Sequence, residues 1–342
     1  MIEEIADDMF RIELPIPNSP LQTVNTYLLK GEERDLLVDS GMDEEECKAS
    51  LQKALHNLGT NLEKIDFFIT HLHIDHFGLA PTLASNGATI YLNAPEAFFF
   101  GNINLWEKGF EYGKINGFPE EDLKKHLAQK PRFLKEIPRK ELRIAAENNS
   151  VNSPDGHRFQ ILGEGDDLNI GNHSFKCVFT PGHSRGHTCL YEPSQKIIFS
   201  GDHILEDITP AIFLWPGEDR DPLAEYLKSL DKVFGLDVSY VLPGHRSPFQ
   251  KHRKRIKELK QHHQDRENEI TSVMNAKGKH AFEIASKVTW NIPRPWDEFA
   301  LELKWMALAE TLAHLNHLAG KKEVHWKYGT DNICYYYLPQ TT

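Results

Sequence analysis

The stretch Ile65-Asp66-Phe67-Phe68-Ile69-Thr70-His71-Leu72-His73-Ile74-Asp75-His76 decides how the chain reads. Ile65 to Ile69 is a short apolar run of strand type, and directly after it come four donor side chains within six residues. Two histidines two apart in extended chain project to the same side, whereas on a helix they diverge by about 200°. The pattern therefore predicts a strand leaving its sheet, then a turn that brings Asp75 and His76 to the same spot. Gly78 permits tight backbone there. Imidazole and carboxylate together suit zinc, iron or manganese.

Three later stretches repeat one grammar of apolar strand, small-residue turn and donor. They are Val178-Phe179-Thr180-Pro181-Gly182-His183, Ile198-Phe199-Ser200-Gly201-Asp202 and Val241-Leu242-Pro243-Gly244-His245. Each delivers one candidate ligand from a strand end, with glycine letting the backbone pass close to a crowded site. A single Pro-Gly-His is as well explained by a turn. Together with the six-residue cluster, the three predict a shared metal site.

The flanks read as mixed α and β. Thr23 to Leu29 and Asp35 to Val38 predict a hairpin through Gly31-Glu32-Glu33-Arg34. Cys47, Leu51, Leu55 and Leu58 recur at helical spacing over 44–58. Short strands are expected at 88–92, 174–179, 188–191, 197–199 and 239–242, with a helix near 81–85. From about 96 to 150 the character is helical: Phe99, Ile103, Trp106 and Phe110 predict one face of one helix, and a second helix starts at Phe118-Pro119-Glu120. Beyond Lys251 the chain reads as helical up to a terminal hairpin, 324–328 with 333–338.

Composition bounds the function. Lys plus Arg number 39 against 50 Asp plus Glu in 342 residues, a net charge of −11, so nucleic acid is not bound through bulk charge. Apolar runs such as Ala97 to Phe100 fall far short of the roughly 20 residues a membrane helix needs. Met1-Ile2-Glu3-Glu4 lacks the features of a signal peptide, and four dispersed cysteines form no CxxC pair. The expectation is a cytoplasmic protein with free thiols.

With HxHxDH, a later histidine, an aspartate and a final histidine in this order, roughly residues 10–250 resemble the metallo-β-lactamase-fold hydrolase superfamily, in its glyoxalase-II-like dinuclear branch. The resemblance implies an α/β (α+β) fold. This is an αβ/βα four-layer sandwich, two mixed sheets face to face with helices outside, interrupted here by the helical insertion at about 96–150. It implies that His71, His73 and His183 hold one divalent ion, that Asp75, His76 and His245 hold a second, and that Asp202 bridges them. Zinc stands ahead of iron or manganese as the metal. Asp39, in Val38-Asp39-Ser40-Gly41, matches a family position that orients a ligand imidazole, with a plain turn cap as the other reading. Gly182-His183-Ser184-Arg185-Gly186-His187 resembles the family's GHTxGH pattern, and His187 is left as either a supporting group or an ordinary polar contact. The absence of a cysteine ligand disfavours antibiotic hydrolysis.

Charge then gives the chemistry. Two divalent ions, two carboxylates and a bridging hydroxide sum to about +1, a site that lowers the pKa of water from 15.7 towards ~7 and stabilises an oxyanion. The expected activity is that of a dinuclear metal-dependent hydrolase using metal-bound hydroxide on an ester, thioester or lactone, with Asp75 helping with the proton. The alternative is a metal-dependent endoribonuclease or phosphodiesterase. It draws on the tail, residues 251–342, which resembles the winged-helix C-terminal segment of some superfamily members. That tail opens with six Lys or Arg against one Glu over 251–260. Against it, Leu301, Trp305, Leu308, Leu312 and Leu315 sit at core spacing on the would-be recognition helix. Trp326, Tyr328 and Tyr335 to Tyr337 suit base stacking, a core or a dimer contact. The expected domains are thus 1–250 and 251–342, and the expected partner is a small acyl or lactone-type molecule, with no membrane. Nucleic acid is the lesser alternative, and self-association is left open.

Overall fold

The computed structural model describes residues 1–17, 19–102, 105–128 and 137–339, whose strands pair into three sheets. The first contains β1 (Ile2–Ala6), β2 (Met9–Pro15), β3 (Thr23–Leu29), β4 (Asp35–Val38), β5 (Ile65–Phe68), β6 (Thr89–Leu92), β7 (Ser150–Asn152) and β8 (Arg158–Ile161). Its order is β1-β2-β3-β4-β5-β6-β8-β7; the centre from β4 to β8 is parallel and both edges are antiparallel. The second contains β9 (Asp167–Ile170), β10 (His173–Phe179), β11 (Thr188–Glu192), β12 (Ile197–Gly201) and β13 (Tyr240–Pro243), in the order β13-β12-β11-β10-β9. The third is small: β14 (Lys279–His280), β15 (His325–Tyr328) and β16 (Cys334–Tyr337), ordered β14-β16-β15.

Period-two alternation decides which face each residue buries. In β4, Leu36 and Val38 join Tyr27, Phe68, Phe175, Cys177, Leu190 and Phe199 in a core between the first two sheets. Leu37, between them in sequence, faces the other way with Phe67 and Ile90, against helices. Those helices are α1 (Glu45–Asn57), which contributes Cys47, Leu51 and Leu55, and Arg139–Asn148, which contributes Leu142 and Ala145. The result is an α/β sandwich of mixed sheets. The remaining helices are α2 (Ile74–Phe77), α3 (Ala80–Leu83), α4 (Ala94–Asn102), α5 (Leu105–Ile115), α6 (Glu120–Ala128), then Arg139–Asn148 as α7, α8 (Pro222–Phe234), α9 (His252–Val273), α10 (Ala281–Ala285) and α11 (Leu301–Gly320). Among the described residues no helix is long and apolar enough to cross a membrane, and all four cysteines are buried free thiols.

The chain divides into two compact units. One comprises Met1–Ile103, Arg132–Pro210 and Ser229–Ile256, and contains both larger sheets; the other comprises Asn104–Pro131, Ala211–Lys228 and Lys257–Thr342. The second unit has its own core, in which Trp305, Leu308, Leu312 and Leu315 of α11 pack with Ile270 of α9, Ile284 of α10 and the hairpin residues Cys334 and Tyr336.

The predicted hairpin and the helix over 44–58 occur as β3–β4 and α1. The helix expected to carry Phe99, Ile103, Trp106 and Phe110 runs through 103–104, which lie outside the described residues. On either side of them the structure describes α4 over Ala94–Asn102 and α5 over Leu105–Ile115. Gly101 lies where α4 meets α7, and a Cβ there would stand 2.8 Å from the Arg143 backbone nitrogen. Ile103 and the side chain of Trp106 lie outside the described residues.

Burial in the second unit has a titration consequence at Glu310. Desolvation pushes the carboxyl of Glu310, on α11, from 4.5 up to about 7, against the pull of Arg266. An acid with a raised native pKa binds its proton more tightly when folded, so stability is complete at low pH and is lost as pH rises through the native value. The Glu310→Gln protein is therefore expected to melt close to wild type at pH 5 and clearly above it at pH 8, as thermal melts across that range will show.

Candidate metal centre

The donors gather because strand ends gather. β5 stops at Phe68, and five residues on His73, in extended backbone (φ −66°, ψ 150°), caps the one-turn helix α2. His71 and His73 thereby project together, with ring centroids 4.5 Å apart, and α2 turns His76 back toward them, its ring 4.2 Å from that of His71. Gly78 is required by this turn, since a Cβ would stand 2.4 Å from the Ile74 carbonyl oxygen and 2.7 Å from the Asp43 nitrogen. In the second sheet β10, β12 and β13 all run the same way, because β10 and β12 each pair antiparallel with β11 and β13 pairs parallel with β12. Their carboxyl ends deliver His183, Asp202 and His245 to one edge.

All seven candidate residues meet there. His71 Nε2 and His183 Nε2 face His73 Nδ1 at 3.0 and 3.1 Å. Asp75 Oδ2 lies 3.4 Å from His245 Nε2 and 3.9 Å from His76 Nε2. Asp202 touches both sets: Oδ1 is 3.5 Å from His76 Nε2, and Oδ2 is 3.6 Å from His183 Nε2 and 3.5 Å from His245 Nε2. The trios His71–His73–His183, His71–His76–Asp202 and Asp75–His76–His245 each bring their donor atoms within 4.8 Å of one another.

These atoms fit metal ions and fit little else. Ligands at about 2.0–2.1 Å on a tetrahedral zinc stand roughly 3.3 Å apart, which the observed separations bracket. His76 Nε2, His245 Nε2 and Asp202 Oδ1 are buried without a hydrogen-bond partner, an arrangement costing about 1–3 kcal/mol per group unless something else satisfies them. Burial, with His76 beside it, keeps His71 well below the usual imidazole range, and burial with His183 pushes His73 down to about 3, so this side offers lone pairs. Burial opposes charge on Asp75 and Asp202 too, but the surrounding imidazoles outweigh it and hold both carboxyls well below their usual range. The same acids hold His76 and His245 above theirs.

Tautomers are set from outside. Asp39 Oδ1 accepts the Thr70 backbone N–H at 2.8 Å, and Oδ2 accepts both Thr70 Oγ1 at 2.9 Å and His76 Nδ1 at 2.7 Å. Since the Thr70 hydroxyl donates to Asp39, it accepts from His71 Nδ1 at 3.0 Å. One buried carboxylate thus turns the Nε2 lone pairs of two imidazoles inward. His245 Nδ1 donates to the Thr23 carbonyl at 2.7 Å with the same effect. At the two positions left open by the sequence, Asp39 hydrogen-bonds His76 directly and His71 through Thr70, and His187 supports the site, its Nε2 accepting the Asp202 backbone N–H at 3.1 Å while Nδ1 donates to Thr180.

Two residues escaped the sequence reading. Asn25, buried in β3, donates to the carbonyls of Pro243 and Arg246 and so clasps the loop carrying His245. Glu96, buried on α4, accepts the backbone N–H groups of Leu72 and Gly186. A buried polar residue at a strand or helix position was the available signal, but its partners are far along the chain. Two of the glycines in the repeated turn grammar have a steric cause: a Cβ at Gly244 would lie 2.6 Å from both Asp202 Oδ1 and His76 Cε1, and one at Gly201 would lie 2.7 Å from His187 Nε2. Gly244→Ala is accordingly expected to cut the bound metal below two ions per chain with the far-ultraviolet dichroism unchanged, which elemental analysis of purified protein measures.

Residues 20–245 match the family model of the Metallo-beta-lactamase superfamily. The probable metallo-hydrolase YqjP of Bacillus subtilis is 22% identical over 335 residues, 95% of this chain and 97% of its own length. The human acyl-coenzyme A thioesterase MBLAC2 is 23% identical over 239 residues, 66% of this chain and 74% of its own. Among solved structures, the metallo-beta-lactamase family protein TTHA1429 of Thermus thermophilus superposes with a TM-score of 0.75 at 26% identity, over 98% of this chain and 100% of that one. With the family model spanning well over half of its length and the donor clusters inside that span, the chain belongs to the metallo-beta-lactamase superfamily and is a metal-dependent hydrolase.

Proposed function

We propose that the chain hydrolyses an acyl thioester, within a wider class of esters and lactones, at a dinuclear centre. In this reading His71, His73 and His183 hold one ion, Asp75, His76 and His245 the other, and Asp202 bridges them. The observation that carries it is Asp202 standing within 3.6 Å of imidazoles from both sets. Divalent ions bound there, zinc first, supply Lewis acidity, activating water at neutral pH and offsetting charge on an attacked carbonyl oxygen. The protein's own share follows from its geometry. Asp75 Oδ2 faces His76 and His245, and its side chain keeps 17% of its surface exposed against 10% for Asp202, so Asp75 is the more accessible carboxylate to accept the proton of the attacking water. Asp39 and His187 hold the donors in register and stay out of the bond-making.

The acyl preference draws on α4 and on likeness. Phe98 is 54% exposed, and the ring of Phe99 lies 4.9 Å beneath the guanidinium of Arg185, two residues from His183, which gives this edge an apolar flank. The human relative MBLAC2 is an acyl-coenzyme A thioesterase, which makes acyl-coenzyme A the first substrate to try.

The nuclease alternative is weakened by where the basic run goes. Arg253 donates to the carbonyls of Phe234 and Leu236, and Arg255 to those of Leu205 and Ile208. Those guanidiniums are committed to the protein's own backbone. We read residues 1–250 as the catalytic domain and 251–342 as a winged-helix-like module, on the order α9, β14, α10, α11, β15, β16, with a packing role.

Acyl-coenzyme A, lactone and aryl-ester substrates assayed beside single-stranded RNA test the proposal. Acyl-coenzyme A turnover is expected, abolished by chelator, restored by Zn²⁺ and lowered more than about 100-fold in Asp202→Ala. Metal-dependent RNA cleavage without acyl turnover would reverse the order of the two readings.

A further inference from the structure

Glu96 is a buried carboxylate that the proposed chemistry does not use. Only 1% of the residue is exposed, in the first turn of α4. Its Oε1 accepts the Leu72 backbone N–H at 3.0 Å and its Oε2 accepts the Gly186 backbone N–H at 2.6 Å. Leu72 stands between His71 and His73, and Gly186 is three residues beyond His183. One side chain, from a third segment, therefore spans the two loops whose imidazoles face each other at 3.0 and 3.1 Å. The fit leaves no slack: a Cβ on Gly186 would stand 2.5 Å from the Glu96 backbone nitrogen. The same helix grips the same loop again through Phe99 under Arg185.

We propose that Glu96 is a positioning residue that presets His71, His73 and His183 for their cation before the cation arrives. The inference rests on the reading of those three as a metal-binding group. A carboxylate is buried at a cost that charge-assisted hydrogen bonds must offset, and two backbone donors from different loops do so only when the loops are held at one separation. A neutral isostere cannot do the same. The amide of Gln offers one accepting oxygen, and its NH₂ meets the second backbone N–H donor to donor. Supporting contacts of this kind are worth about 10–100-fold in metal affinity.

The test combines amide hydrogen exchange on metal-free protein with Zn²⁺ titration against a chromophoric chelator, for wild type and Glu96→Gln. In metal-free wild type, the Leu72 and Gly186 amides should be as protected as that of Thr188, which donates to the Thr70 carbonyl at 2.9 Å independently of Glu96. In the variant those two should exchange faster while Thr188 does not. Zn²⁺ affinity should then fall about 10–100-fold with little change in the melting temperature of the metal-free protein. Wild-type zinc binding with an unaltered affinity in Glu96→Gln overturns the proposal alone. Rapid exchange at Leu72 and Gly186 in metal-free wild type also overturns it, a result that stands even if the variant does not fold. A wild type that takes up no Zn²⁺ overturns the metal reading and this inference with it.

Discussion

Five imidazoles and two carboxylates are brought together in a nearly dry space, and that convergence is the constraint to which the rest of this unit answers. Isolated charges or unpaired lone pairs in such a place are costly, and seven of them without a cation would push the loops apart. The sandwich supplies what opposes this. Parallel and alternating strand directions in the second sheet put β10, β12 and β13 end to end on one edge, and β5 of the first sheet opens beside them. The packed core between the sheets, Phe68 and Val38 against Phe199 and Leu242, fixes those ends from behind.

Around the donors lies a ring of hydrogen bonds with one shared purpose, the control of where protons sit. Asp39 binds Thr70 and His76 directly and His71 through the Thr70 hydroxyl. Asn25 and Tyr27 of β3 hold the Pro243 carbonyl, which steadies the turn before His245. Backbone strain appears at the same places: Asp39 has φ 58° and Arg246, next to His245, has φ 68°. Residues without glycine's freedom adopt such angles when their surroundings over-determine them, as the hydrogen bonds accepted by the Asp39 carboxylate and the Arg246 carbonyl do here.

The donors themselves were legible in the sequence because each sits within a few residues of a strand end, and strand ends announce themselves through apolar runs and glycine. The hairpin of β3 and β4 and the helix α1 were legible for the same local reason. What local pattern does not encode is pairing at a distance. Glu96 reads as an acid at the start of a helix, and nothing near it in the chain says that it reaches Leu72 and Gly186. Asn25 reads as a polar interruption in a strand. β14 is two residues long, and only its register with Tyr335 and Tyr336 makes it a strand.

The basic run after Lys251 shows how a charge pattern changes meaning once partners are known. Six cations in ten residues suggest an electrostatic surface for a polyanion. Yet a polyanion is attracted by charge that remains available, and an arginine whose guanidinium already donates to two carbonyls gives up those bonds to bind phosphate. Arg253 meets the carbonyls of Phe234, the last residue of α8, and of Leu236 just past that end, where carbonyls lack helical partners and carry the negative end of the dipole. Arg255 does the same for the backbone at Leu205 and Ile208, just beyond Asp202. Both arginines thus secure segments that continue from the strands and loops bearing the donors. Their charge is explained by the fold, and a partner is not needed to account for it.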